Sequence, residues 1–110
     1  MPPAVIKVND LPRSPVDAAA HFYAQVVPGL CDALAVAGEL VIQFEPADHS
    51  HHGWRLAAVQ ELAREAAPKR VNGVVGSDSE AAAAAVAFLA DAPGVTGQLL
   101  VVDGKPGEIA

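Results

Sequence analysis

Short runs of aliphatic and β-branched residues alternate with alanine-rich stretches along the whole chain, and this alternation constrains the fold more than any other feature. Ala4–Val8, Glu39–Phe44, Arg70–Val75 and Gln98–Val102 read as strands. Between them, Asp17–Ala37, Trp54–Ala67 and the segment from Ser77 to Asp91 or Ala92 read as helices. The order β-α-β-α-β-α-β predicts an α/β fold with about four parallel strands and three helices. Residues 1–110 are expected to form a single domain, since this length suits one domain and not two. Right-handed crossovers that step steadily across a sheet are expected to place the helices on one face. Composition agrees: hydrophobic residues are 52% of the chain, 23 of them Ala and 15 Val, while aromatics are 5%. Such small side chains suit close helix–sheet packing better than a large aromatic core.

Local signals punctuate the pattern. Asn9-Asp10 closes the first strand, and Leu11–Pro15 is a proline-marked connection. Pro28-Gly29 is expected to kink or split the first helix, and Gly38 to stop it. In the polar stretch Glu45–His52, Asp48 and Ser50 are candidate N-caps. Leu56, Val59, Leu62 and Ala66 mark the inner side of the second helix, with Arg55, Glu61, Arg64 and Glu65 assigned to its other faces. Ser77 and Glu80 stand at capping-box spacing before the third helix. Ala92-Pro93-Gly94 ends that helix, Asp103-Gly104 turns the last strand out, and residues 105–110 are expected to form a loose tail.

Charge and composition exclude several classes of function. The net charge is −6, and only seven residues are Lys or Arg. Lys69–Arg70 is the sole adjacent basic pair, so no nucleic-acid-binding surface is expected. Cys31 is the one cysteine; it excludes an intrachain disulfide and a cysteine zinc cluster, and is expected to be a small buried hydrophobe. No apolar run reaches the ~20 residues of a membrane span. The N-terminus lacks the basic and apolar regions of a signal peptide, so a cytoplasmic location is expected.

Several spaced motifs point to a family. Leu62-Ala-Arg-Glu65, Ala67-Pro68, Arg70-Val-Asn72, Ala87-Phe-Leu-Ala90, Thr96-Gly-Gln98 and Val102-Asp-Gly104 occur in an order that resembles the C-terminal half of short-chain dehydrogenases/reductases. Pro28 and Gly38–Ile42 also resemble that family's central helix and the strand after it. The likeness runs from about Val16 to Gly104 and implies a truncated, half Rossmann-like fold. The family's glycine-rich cofactor turn does not occur: Asn9-Asp-Leu-Pro12 comes after the first strand. The resemblance places the family's catalytic Tyr on Asp48 and its Lys on His52, while the serine position falls near Glu45. No catalytic residue and no cofactor-binding residue carries over, and NAD(P) binding by this chain alone is not expected.

Glu45, Asp48, His49, His51 and His52 form the one chemically dense segment. They are candidate ligands for a metal ion, and also what a solvated loop at a helix N-terminus would contain. Phe22, Tyr23 and Trp54 are assigned to the core or an interface, and His21 to packing or surface on the first helix. Gly73 and Gly76 flank a strand end before a capped helix, an ordinary strand–helix turn that also has the form of an anion site. The resemblance implies self-association as an obligate homodimer or homotetramer through helices 17–37 and 54–67, both rich in small residues. Three functions stand as expectations. The first is a non-catalytic, oligomeric or partner-binding protein, whose partner is itself or a full-length reductase. The second is an oxidoreductase component completed by a partner that supplies the NAD(P)-binding half. The third is a small metal- or ligand-binding protein that uses the 45–52 loop.

Overall fold

Alternate residues of the four apolar runs point to opposite sides of one sheet, and this sorting builds two separate cores. The computed structural model describes residues 2–102, so the segments at 103–104 and 105–110 lie outside the described residues. The strands are β1 (Ala4–Val8), β2 (Glu39–Phe44), β3 (Arg70–Val75) and β4 (Leu99–Val101), parallel and in the order β1-β2-β3-β4. β4 is shorter at both ends than the run that predicts it. The helices are α1 (Pro15–His21), a π-helical turn (Phe22–Val26), α2 (Val27–Ala37), α3 (His52–Ala66) and α4 (Glu80–Ala90), with a 3₁₀ turn at His49–His51. α1, the π turn and α2 run on as one helical segment, so the expected three helices alternate with the four strands as a Rossmann-like half-fold.

On the first face, Val8, Leu40, Ile42, Phe44, Val71 and Val75 meet Phe22, Leu30, Ala58 and Val59 from the helices. Phe22, Phe44 and Trp54 pack ring against ring, with centroids 5.4–5.8 Å apart. Phe22 and Trp54 are thus core residues, whereas Tyr23 is exposed and stands edge-on to Phe22. On the second face, Val41 and Val74 meet Ala82, Ala85 and Leu89 of α4. The helices therefore lie on both sides, not on one. Because β4 continues the sheet in the same direction, the β3–α4–β4 crossover has the opposite hand to the two before it. A parallel sheet needs cover on both faces, and α4 supplies it where a steady right-handed path would leave Val41 and Val74 bare.

The helix boundaries are set by their caps. Ser14 caps α1 and accepts a hydrogen bond from the Asp17 amide, so the helix begins at Pro15, earlier than the composition suggests. Pro28 does not split the helix. The irregularity comes before it, as the π turn in which the Val27 amide donates to the Phe22 carbonyl. Proline has no N–H for the fourth carbonyl back, and its ring crowds that carbonyl; a wider turn relieves both. Gly38 ends α2 at φ 81°, with its amide on the Leu34 carbonyl. Ser79, not Ser77, caps α4 and accepts from the Ala82 amide.

The motifs at 70–72 and 96–98 hold each other. Asn72 Nδ2 donates to the Val95 carbonyl, and Asn72 Oδ1 accepts from the Gln98 amide, each at 3.0 Å. The Val71 amide donates to Thr96 Oγ1, and the Gly97 amide to the Val71 carbonyl. Arg70 Nη1 donates to the carbonyls of Leu89, Ala92 and Val95, while Nη2 lies 2.8 Å from Glu39 Oε1. These residues lock α4 and β4 against β3. No helix among the described residues is long and apolar enough to cross a membrane.

Candidate functional site

In a parallel α/β sheet, ligands bind outside the carboxyl ends of the strands. Here that end is built from Val75, Val101 and the stretch Glu45–His52, which leads from β2 into α3. All five residues that the sequence marks as candidate ligands lie there. The fold does not turn them toward one point.

Asp48 is the N-cap of the 3₁₀ turn. Its Oδ1 accepts from the Ser50 amide at 2.9 Å and from the Ser50 hydroxyl. These bonds, the hydroxyl's first, hold its carboxyl below the ordinary carboxylate range, helped by the nearby His51 and His49. Ser50 is therefore Asp48's hydrogen-bond donor, not itself a cap. His51 turns inward and is buried. Its Nε2 lies 3.0 Å from the Arg13 carbonyl, and its Nδ1 lies 3.0 Å from Trp54 Nε1. Trp Nε1 can only donate, so Nδ1 accepts, and Nε2 donates its N–H to the Arg13 carbonyl. Both ring nitrogens are committed to tying the β1–α1 connection to α3.

His49 and His52 stack face to face, 6.3 Å between centroids and 7° between planes, at the outer side of the turn. Glu45 Oε1 accepts from the Asp10 amide, which sits in the left-handed region at φ 60°. Among the described residues, no group of three or more His, Cys, Asp or Glu side chains is placed to hold a metal ion.

One residue at this end is an unexpected finding. Arg55, assigned by its charge to an outer face of the helix, is 4% exposed. Its Nη1 donates to the Glu45 carbonyl at 2.9 Å, and its guanidinium lies 4.8 Å from the Phe44 ring centre and 5.8 Å from that of Trp54. Its Nε is buried and has no partner among the described residues. Burial lowers its pKa, and the Glu45 charge partly opposes that. The periodicity held the signal: three and four positions before the buried pair Ala58 and Val59 stands Arg55. Its charge outweighed its position. Arg55, Asp48, His49, His52, Val75 and Val101 surround a small cavity of about 20 Å³.

A larger hollow of about 260 Å³ opens beside it, lined by Lys7, Asn9, Gln43, Glu45, Ser77 and Asp78. Lys7 pairs with Asp78, and Gln43 Nε2 donates to the Gly76 carbonyl. The N-terminus of α4 ends here, but Asp78 and Glu80 already occupy its positive field, so the strand–helix turn after Gly76 does not invite an anion. Cys31, expected in the core, is exposed on α2, and His21 is on the surface.

The family model SDR-like, short chain dehydrogenase-like protein, matches residues 6–102. No curated protein and no solved structure matches the chain.

Proposed function

The chain belongs to the SDR-like family of short chain dehydrogenase-like proteins, and on that premise we propose that it is a cytoplasmic, non-catalytic member that works as an oligomeric or partner-binding module. The observation that carries this reading is the state of Asp48. The resemblance places the family's tyrosine there, yet this carboxylate is spent capping a turn through Ser50. His52, at the lysine position, stacks on His49. A proton-transfer pair needs a base free to meet substrate and a cation beside it, and neither position supplies one.

The surface supports association. The outer side of the segment Pro15–Ala37 carries Val16, Tyr23, Cys31 and Val36 in the open, with Val16 77% and Val36 82% exposed. Small residues such as Ala20, Ala24 and Ala35 lie exposed among them and allow close approach of a second helix. Sedimentation equilibrium at micromolar concentration tests this: a dimer or tetramer is expected, and a stable, folded monomer refutes it.

A second reading, an oxidoreductase component completed by a partner with a nucleotide-binding half, draws on β1. Among the described residues no strand pairs with its outer edge. Nicotinamide cofactor titrations separate the two. The proposed function expects no saturable binding by this chain below millimolar, and a co-purifying partner to bind the cofactor no more tightly with this chain than without it. Binding that neither this chain nor the partner shows alone, and that appears when they are combined, supports the second reading.

A further inference from the structure

Gln43 is a polar residue on the inner strand β2, and it is only 7% exposed. β2 is paired along both edges, so what remains open of Gln43 is its side chain. Its Nε2 donates to the carbonyls of Gly76 at 3.3 Å and Ser77 at 3.5 Å. A carbonyl can only accept, so these two bonds fix which end of the amide is nitrogen. Oε1 is the other end. Among the described residues no group donates to it, yet it is not sealed from solvent as the Arg55 Nε is. An acceptor without a partner, reachable on a side chain otherwise enclosed, is a group free to meet a ligand.

Two depressions meet at this side chain. The polar hollow of about 260 Å³ lies at the carboxyl ends of β1, β2 and β3, and an open groove of about 570 Å³ runs between β1 and α4. Lys7, Gln43 and Asp78 border both. Farther along, the groove is apolar, with Val5 on one wall and Ala82, Ala83 and Val86 on the other. Val5 and Lys7 face this side because Ala4, Ile6 and Val8 turn into the opposite core. The charge along the two is one-sided. Glu45, Asp78 and Glu80 stand against Lys7, which Asp78 already pairs. The N-terminus of α4 adds roughly half a positive charge, less than the two carboxylates beside it.

We propose that this joined hollow and groove bind a primary amine with an apolar tail. Its ammonium donates to Gln43 Oε1 among the carboxylates, and its tail lies along Val5, Ala83 and Val86. Each part of the ligand answers a feature of the wall. An unmet acceptor calls for a donor, the excess of carboxylates calls for a cation, and the apolar groove calls for a hydrocarbon. An anion finds no donor at Oε1 and is repelled; an alcohol meets Oε1 but leaves the charge unanswered. No bond is made or broken on the ligand. The site lies on the face opposite α1 and α2 and uses none of the surface proposed for association.

The test is a titration of the full chain with n-hexylammonium chloride at constant ionic strength, beside 1-hexanol, sodium hexanoate and ammonium chloride. The Gln43 side-chain amide and the Ala83 main-chain amide are followed in ¹H–¹⁵N spectra. A saturable shift with hexylammonium is expected, about tenfold tighter than with 1-hexanol or hexanoate, and no saturation with ammonium chloride. Gln43→Met fills the same space without an acceptor and is expected to weaken binding about tenfold. Asp78→Asn changes a side chain that is 75% exposed and is expected to weaken it about threefold. If Gln43→Met does not fold, Asp78→Asn and the wild-type series decide. A linear response to hexylammonium, or saturation by ammonium chloride alone, overturns the proposal. So does equal affinity for 1-hexanol or hexanoate, or binding that either variant leaves unchanged.

Discussion

His51 and Asp48 show how residues with catalytic chemistry come to serve structure. The His51 ring joins Arg13 to Trp54, and each bond leaves a polar group stranded if the ring goes. His51→Phe keeps an aromatic ring, slightly larger, and removes both bonds. A loss of about 1–3 kcal/mol is expected in urea unfolding, because a buried polar group without a partner costs about that much. Asp48 makes stability depend on acid. Its folded pKa lies below its unfolded value, so its contribution is complete above the unfolded value and is lost as pH falls through the folded one. Asp48→Asn keeps a capping oxygen and has no such titration. As pH falls from above the unfolded value of ~3.9 through the lower folded one, the wild type should progressively lose its stability advantage over Asp48→Asn; parallel thermal-melt curves would count against the cap's role.

At the level of elements, β3 holds α4 and β4 in place. Arg70 reaches the Leu89 carbonyl in the last turn of α4, the Ala92 and Val95 carbonyls in the connection to β4, and the Glu39 carboxylate at once. A lysine ammonium cannot span that set. Arg70→Lys is expected to destabilise the chain by about 1–3 kcal/mol, with faster amide exchange in α4 and β4 than in α3. Gly73 admits the neighbouring layers closely: a Cβ there would meet Leu99 Cδ1 at 2.8 Å and Val59 Cγ2 at 3.0 Å. Gly73→Ala should cost about 1–3 kcal/mol by overpacking, at the lower end if Leu99 rotates away, as chemical denaturation would report. The element boundaries were legible where a cap or a glycine marks them, as at Gly38. They were misread where two serines compete. Ser77 satisfies the capping-box spacing, yet Ser79 has the extended backbone of a cap and α4 begins after it.

For the whole molecule, the sheet is covered unevenly. α1, the π turn, α2 and α3 lie over one face, while α4 alone covers the other. Beyond α4 an open groove of about 570 Å³ runs along Val5, Lys7, Ala82, Ala83 and Val86. Apolar exposure on α1 and α2 belongs to the proposed self-association. Val36→Glu changes a residue that is 82% exposed. It should alter the monomer's own stability by less than ~0.5 kcal/mol and still shift sedimentation toward smaller species. Unchanged assembly with this variant would remove α2 from the interface.

The sequence alone determined the class, because short continuous apolar runs between helical stretches allow few arrangements other than a parallel sheet. It also carried the family, since the motifs Arg70-Val-Asn72 and Thr96-Gly-Gln98 that mark it are bonded to each other. The face on which α4 lies, the inward turn of His51, the exposure of Cys31 and the burial of Arg55 were decided by tertiary structure. Each depends on what stands opposite the residue in space. A charge or a small side chain states a preference for water or for the core, but which helix face meets the sheet is a property of the whole packing.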